Sequence, residues 1–365
     1  MDAAPYKVDE KTYQEKSDGF FKRTFPAVSA PVAYDSEGRE IIVVSDLHIA
    51  AGKNDNGVYK GTENFFADEP FGRWLEYLGR IRKTPSALLI INGDLFDFLR
   101  VTEYPGWTRR LTLSRRWKRL TKGAVPVSTE QPPAEDIRRQ FEEWSDELRQ
   151  VGLVFSPEDL EASISKKERT YGLETDDYKT IYKLIRIKEG HPVFFRSLAR
   201  WLLNDNRILI TKGNHDLELC QDRVRDYIAL MLAKSIAELD AEGSVGGGEP
   251  GRSVGGVGPG RSVEHILERI VSPNIRFVDD SVLIDNCFYV EHGHRYDKLT
   301  MVTGGRFLRE GSTEINIPFG SFFNRYLINR VELYYPFFDK IRPTGNIVPM
   351  LIRDNFPLAI RIIFQ

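Results

Sequence analysis

Cysteine is almost missing: Cys220 and Cys287 are the only two in 365 residues. Two thiols cannot build the disulfide framework of a small secreted domain or a cysteine-based zinc site, so both are expected to be buried, unpaired thiols in a reducing, cytoplasmic setting. An excess of one charge is missing as well. Fifty-one basic residues meet 53 acidic ones for a formal net charge of −2, which leaves no global field to gather nucleic acid or an anionic membrane; such a partner would need a local patch. The first 40 residues, read as an N-terminal extension, contain no long apolar run, which argues against a secretory signal or a spanning helix there. Histidine is scarce too, at six, so the position of each one carries information.

What is present describes a globular chain. Hydrophobic residues make up 41% and charged residues 28%, a balance that excludes wholesale disorder. The length exceeds the ~250–300 residues that one core usually fills, which predicts a large domain with insertions or a core with an appendage. Four short apolar runs read as buried strands: Ile41-Ile-Val-Val-Ser, Ala87-Leu-Leu-Ile-Ile-Asn, Arg207-Ile-Leu-Ile-Thr-Lys and Cys287-Phe-Tyr-Val-Glu. Helical periods lie between them, over Phe71 to Arg82, Val193 to Leu203, and Arg223 to Leu239 after a capping Asp222. Strands alternating with helices predict a layered α/β fold, with its core over residues 41–300.

About 115 residues separate the loops after the second and third of these strands, where a crossover needs a few dozen. That gap predicts a helical insertion at about 100–190, with Ala134 to Val151 and Asp176 to Lys188 as its helices. Residues 242–262 are Gly- and Ser-rich, nearly repeat Gly-Arg-Ser-Val, and read as a flexible linker. Residues 104–122 gather Arg109, Arg110, Arg115, Arg116, Lys118, Arg119 and Lys122 around Trp107 and Trp117 without an acid. This is either a solvated helix or a surface for a polyphosphate, a lipid headgroup or a nucleic-acid backbone. Residues 301–365 form an aromatic-rich segment, and its apolar finish at Gln365 without a cap predicts a truncated chain. The Phe- and Tyr-dense stretch from Phe319 to Phe338 is expected to pack as core or cap more than to touch a membrane.

Four of the six histidines follow predicted strands. Ser45-Asp46-Leu47-His48 places an Asp and a His on alternate residues of a strand-to-loop turn, a pair that suits a borderline divalent metal and equally a capped turn. In Asn92-Gly93-Asp94-Leu95-Phe96-Asp97, Gly93 permits close backbone approach and Asp94 sits where a carboxylate can bridge two cations. Lys212-Gly213-Asn214-His215-Asp216 brings an amide, an imidazole and a carboxylate to the same edge, a set that serves hard ions such as Mn²⁺. Glu291-His292-Gly293-His294-Arg295 completes the group. His191 and His265 fall outside these motifs and are expected on the surface or on helix faces.

In order, Asp46-x-His48, Gly93-Asp94-x-x-Asp97, Gly213-Asn214-His215-Asp216 and His292-Gly-His294 resemble the signature of the calcineurin-like metallophosphoesterase superfamily, over about 250 of the 365 residues. The resemblance implies a four-layer β-sandwich flanked by helices, with two divalent metal ions (Mn, Zn or Fe) at the strand ends. By position, Asp46 and His48 match ligands of one metal, Asp94 the shared carboxylate, and Asn214 and His292 ligands of the other. His215 matches the histidine that assists the leaving oxygen, Asp97 the acid that orients it, and Asp216 a supporting carboxylate. His294 and Arg295 are further candidates for metal or substrate contact.

The implied activity is hydrolysis of a phosphomonoester, phosphodiester or pyrophosphate bond by a metal-bridging hydroxide. The motif forms are nearest to the UDP-2,3-diacylglucosamine pyrophosphohydrolase-like branch, which commonly has another residue where His215 stands. That branch points to a small phosphorylated, lipid- or nucleotide-linked substrate, with peripheral contact at the inner face of a membrane and nucleic acid disfavoured. The chain departs from the pattern in one respect: no Gly-His-x-His follows His294. Truncation, substitution by His294 or an incomplete centre would each explain that. The competing functions are a metal-poor binding scaffold on the same fold and a nuclease.

Overall fold

The computed structural model describes residues 30–106 except 55 and 61, residues 133–245 and 261–332, and residues 349 and 353. Its main elements are β1 (Val32–Tyr34), β2 (Glu40–Val44), α1 (Asp68–Ile81), β3 (Ala87–Asn92), α2 (Ala134–Arg149), α3 (Asp177–Gly190), α4 (Pro192–Leu203), β4 (Arg207–Thr211), α5 (Asp222–Val245), β5 (Ile275–Val278), β6 (Ser281–Ile284), β7 (Phe288–Glu291), α6 (Phe319–Phe323) and α7 (Asn329–Glu332). The strands β2-β3-β4-β5 form one all-parallel sheet in that order. A second sheet, β1-β6-β7, pairs β1 with β6 in parallel and β6 with β7 antiparallel.

The apolar run of β3 follows from burial on both faces. Leu88 and Ile90 join Leu209, Val278, Val282, Ile284 and Val290 in an apolar layer between the two sheets. Leu89 and Ile91 turn the other way and share the main core with Leu75 of α1, Phe194 and Leu198 of α4 and Val224 and Ile228 of α5. Each such side chain, once fully buried, contributes about 1.5–3 kcal/mol. The helices of the expected insertion belong to that same core: Phe141, Trp144, Tyr182 and Leu184 lie in it, and Trp144 Nε1 donates to Tyr178 O at 2.9 Å.

Several expectations need correction. Only β3 and β4 are buried on both faces; β2 is an edge strand whose Val43 is exposed, and β7 lies in the second sheet with Phe288 and Tyr289 exposed. The N-terminal extension contributes β1 to that sheet. Ala33 and Tyr289 are exposed on the outer face of that sheet. Helix α5 runs on to Val245, into the expected linker. Cys287 is exposed, whereas Cys220 is buried as expected. Of the stretch expected to pack as core or cap, Phe319, Phe322 and Phe323 are exposed, Ile328 and Val331 are buried, and residues 333–338 lie outside the described residues. Residues 107–122 of the basic stretch, 246–260 of the linker and nearly all of the chain after 332 lie outside the described residues. No described helix is long and apolar enough to cross a membrane.

Candidate metal centre

The loops that leave β2 and β3 run side by side. Asp46 N donates to Gly93 O at 3.2 Å, His48 N to Asp94 O at 2.9 Å, Ile49 N to Leu95 O at 3.0 Å and Asp97 N to Ile49 O at 2.9 Å. This ladder holds Asp46, His48 and Asp94 at φ of +55°, +51° and +51°, a left-handed conformation that is uncommon outside glycine and that Asn, Asp and His tolerate best. Strain of this kind concentrates at functional sites. Two glycines make the approach possible. A Cβ on Gly93 would run into the His292 ring, and one on Gly213 into the carboxylate of Asp94.

Asp94 is the hub. Its Oδ2 lies 3.6 Å from His48 Nε2 and 3.2 Å from His292 Nε2, while its Oδ1 accepts from His215 N at 2.9 Å. Two donor groups share this buried carboxylate: Asp46, Asp94 and His292, and His48, Asp94 and His215, with the candidate ligand atoms of each group all within 4.8 Å of one another. Carboxylate oxygen and imidazole nitrogen are what a borderline divalent cation takes. His292 Nδ1 donates to Asn92 O at 2.8 Å, which turns Nε2 toward Asp94, the arrangement that fixes a ligating imidazole. The donor set therefore fits a pair of divalent ions around Asp94.

Behind this layer, Asp97 is fully buried and its Oδ2 meets His215 Nδ1 at 3.0 Å and His48 Nδ1 at 3.6 Å. The acid expected to orient His215 thus reaches both rings, which stand edge to face with centroids 4.6 Å apart. Asp216, also fully buried, ties the loops together by accepting from Gly213 N at 2.6 Å and Leu95 N at 2.8 Å.

The electrostatics follow from burial and opposite charge. Burial alone would raise the Asp94 carboxyl, but the His292 hydrogen bond and the neighbouring imidazoles outweigh it and hold the group below the ordinary range. Burial opposes the charged form of His292 as well, yet Asp94 lifts its imidazole to about 9. His215 reaches about 9 by the same contest, with Asp97 as the main counter-charge. Asp97 is pulled well below a normal carboxyl by His215, His48 and Arg100 despite its burial. Burial, then the like charge of Asp94, pushes Asp216 up to about 7 against its two backbone hydrogen bonds.

Other expected residues sit differently. The motif match paired Asp46 with His48 on one metal; these are 3.8 Å apart, but the compact groups pair Asp46 with His292 and His48 with His215. Asn214 is buried on its loop and its carbonyl accepts from Ser321 Oγ at 3.4 Å. His294 is buried outside both groups, its ring 5.5 Å from that of His292. Burial, with the charges of His292 and Lys212, pushes it down to about 4. Arg295 turns to Asp280, with Nη1 3.3 Å from Oδ2.

His191 is a correction: it is neither at the surface nor on an open helix face but fully buried between Glu63 and Asp68. His265 is exposed, as expected. Sequence reasoning placed Arg100 only as the link from the site loop to the basic stretch and missed its buried ion pair with Glu332 behind Asp97. Arg100 lies three residues past Asp97 on the same turn, and that spacing was the only available signal. No protein-family model, no curated protein and no solved structure matches this chain.

Proposed function

We propose that the chain is a metal-dependent phosphoesterase of the calcineurin-like kind, cleaving a phosphomonoester, phosphodiester or pyrophosphate bond. The observation that carries this reading is Asp94, one buried carboxylate common to two donor groups. Asp46, Asp94 and His292 would hold one divalent cation (Mn, Zn or Fe), and His48 with Asp94 the other, with Asn214 and His215 beside them. When bound, such a pair supplies a nucleophile near neutral pH and neutralises phosphoryl charge. The two facing sheets, with the site loops at the ends of β2, β3, β4 and β7, support the sandwich that this reading requires.

The chain's own residues have separate tasks. Asp97 orients the rings of His48 and His215 through their Nδ1 atoms. His215 delivers a proton to the departing oxygen, work that general acids contribute at about 10²–10⁴-fold. Asp216 keeps the loops after β3 and β4 in register. The closeness of His215 to His48 and Asp94 also suits a ligand, and His215→Asn separates the roles. A proton donor loses turnover most on esters with poor leaving groups and keeps its metal; a ligand loses one metal equivalent.

The exposed Phe319, Phe322 and Phe323 share α6 with Ser321, which touches the Asn214 carbonyl. This favours a lipid- or nucleotide-linked substrate reached from the cytoplasmic face of a membrane. Turnover of a detergent-solubilised nucleotide-lipid, set against a simple aryl phosphodiester, tests that preference. The reading as a whole is tested by plasma-emission metal analysis and aryl-phosphate turnover after reconstitution. Less than one metal equivalent with Mn²⁺ or Zn²⁺, together with no hydrolysis, would leave a binding scaffold instead.

A further inference from the structure

A buried line of charge runs away from the site into the aromatic C-terminal segment. Asp97 Oδ2, already facing His215 and His48, also lies 3.2 Å from Arg100 Nε. Arg100 stands on the short turn Phe98–Arg100 and is 2% exposed. Its Nη1 ion-pairs with Oε2 of Glu332, which ends α7 and is 1% exposed. The same helix is fastened to the same turn, because Asn329 Nδ2 donates to Leu99 O at 2.6 Å. One turn earlier, Arg325 Nη2 donates to Gly172 O at 2.6 Å.

A guanidinium is a rigid fork that can chelate one carboxylate with two parallel N–H groups. With Glu332 on Nη1, Arg100 meets Asp97 through Nε, and Asp97 keeps its face toward the two imidazoles. Without Glu332, the fork is drawn toward Asp97 and competes with His48 and His215 for its oxygens. Their Nδ1 atoms would then lose the carboxylate they face, at 3.0 Å for His215 and 3.6 Å for His48, and supports of this kind typically govern the ligand they hold.

We propose that Glu332 is a positioning residue of the metal centre, acting through Arg100 on Asp97 to fix the rings of His48 and His215. The α7 helix thereby completes the site from behind. The proposal rests on the phosphoesterase reading, and its test is built to fail separately.

Wild type, E332Q, E332D and the double variant R100M/E332M are compared as full chains. Two-bond ¹H–¹⁵N spectra of the histidine rings, recorded without metal, report which ring nitrogen carries the proton. Metal content and steady-state turnover of an aryl phosphate are measured after Mn²⁺ loading. E332Q is expected to change the ring signals of His48 and His215 but not those of His191 and His265. It is expected to lower kcat about tenfold while KM stays within about twofold, and E332D recovers most of the loss. The double variant removes both charges of the pair and with them the guanidinium that would compete for Asp97, so its kcat is expected to recover toward the wild-type value. Unchanged His48 and His215 signals in E332Q, or a double variant as slow as E332Q, overturns the proposal. A wild type with no metal and no turnover defeats the phosphoesterase reading instead, and the ring spectra still decide the role of Glu332.

Discussion

His191 and His215 each lie among carboxylates, yet they stand in opposite surroundings. Both ring nitrogens of His191 are taken, Nδ1 by Asp68 Oδ1 at 2.8 Å and Nε2 by Glu63 Oε2 at 3.0 Å. Glu63 is further satisfied by the backbone N–H groups of Ala50, Gly52, Asn64 and Phe65. His215 has Asp97 at Nδ1, and among the described residues no hydrogen bond or ion pair reaches its Nε2. Its neighbours His48 and Asp94 sit in left-handed backbone, whereas His191, Glu63 and Asp68 do not. A triad that uses every donor and acceptor on itself holds the fold together. One at a strained sheet edge keeps donors for something else.

Replacing His191 should sharpen that contrast most. His191→Gln leaves Glu63 and Asp68 buried without their counter-charge, a loss of about 3–5 kcal/mol in urea unfolding, while kcat of the folded fraction stays at the wild-type value. The penalty depends on pH. Burial lowers the affinity of His191 for a proton, but Asp68 and Glu63 more than offset this and lift its pKa from 6.5 to about 9. The stabilisation is therefore complete below about 6.5 and disappears as pH climbs through about 9. Wild-type and variant stabilities should converge over that window; a constant gap would mean that the ring is not charged in the fold.

Asp94→Asn should weigh most on turnover. Asn accepts the left-handed backbone but deprives His292 and His48 of their shared carboxylate, so urea stability falls as well, while aryl-phosphate turnover falls roughly 10²–10³-fold, or about 2.7–4 kcal/mol. A variant with both ions and full turnover would remove the basis for a shared carboxylate. The smallest effect is thermodynamic linkage. Free Mn²⁺ at roughly 100 times its Kd should stabilise wild type by about 2.7 kcal/mol, measurable as a higher Tm, and should not stabilise Asp94→Asn. His191→Gln should keep the full increment, because its triad lies outside the donor groups.

The parts of this architecture that could be read from sequence are those encoded locally. β3 and β4 announce themselves as unbroken aliphatic runs, and Asp46, His48, Asp94, Asp97 and His292 could be placed because each follows such a run. β1, β5 and β6 are three or four residues long, too short to show a period, so the pattern did not locate them; a second sheet was expected only from the family resemblance. Its existence explains why β7 looked like a buried strand but carries exposed Phe288 and Tyr289. The His191 triad joins residues 123 and 128 positions apart, and the Arg100–Glu332 pair spans 232. Nothing in a linear pattern connects such partners; only the packing of α1 on α4, and of α7 on the turn after Asp97, brings them together.

His292 arrives from β7 of the smaller sheet, whereas Asp46, Asp94 and His215 arrive from the larger one. The seam between the layers is closed at this end by Asn92, whose side chain donates to Glu291 O and whose carbonyl receives His292 Nδ1. A cation seated there would act as a rivet through both layers. Amide protons of β6 and β7 would then exchange with solvent more slowly once it is in place, so its loading could be followed from residues that never touch it.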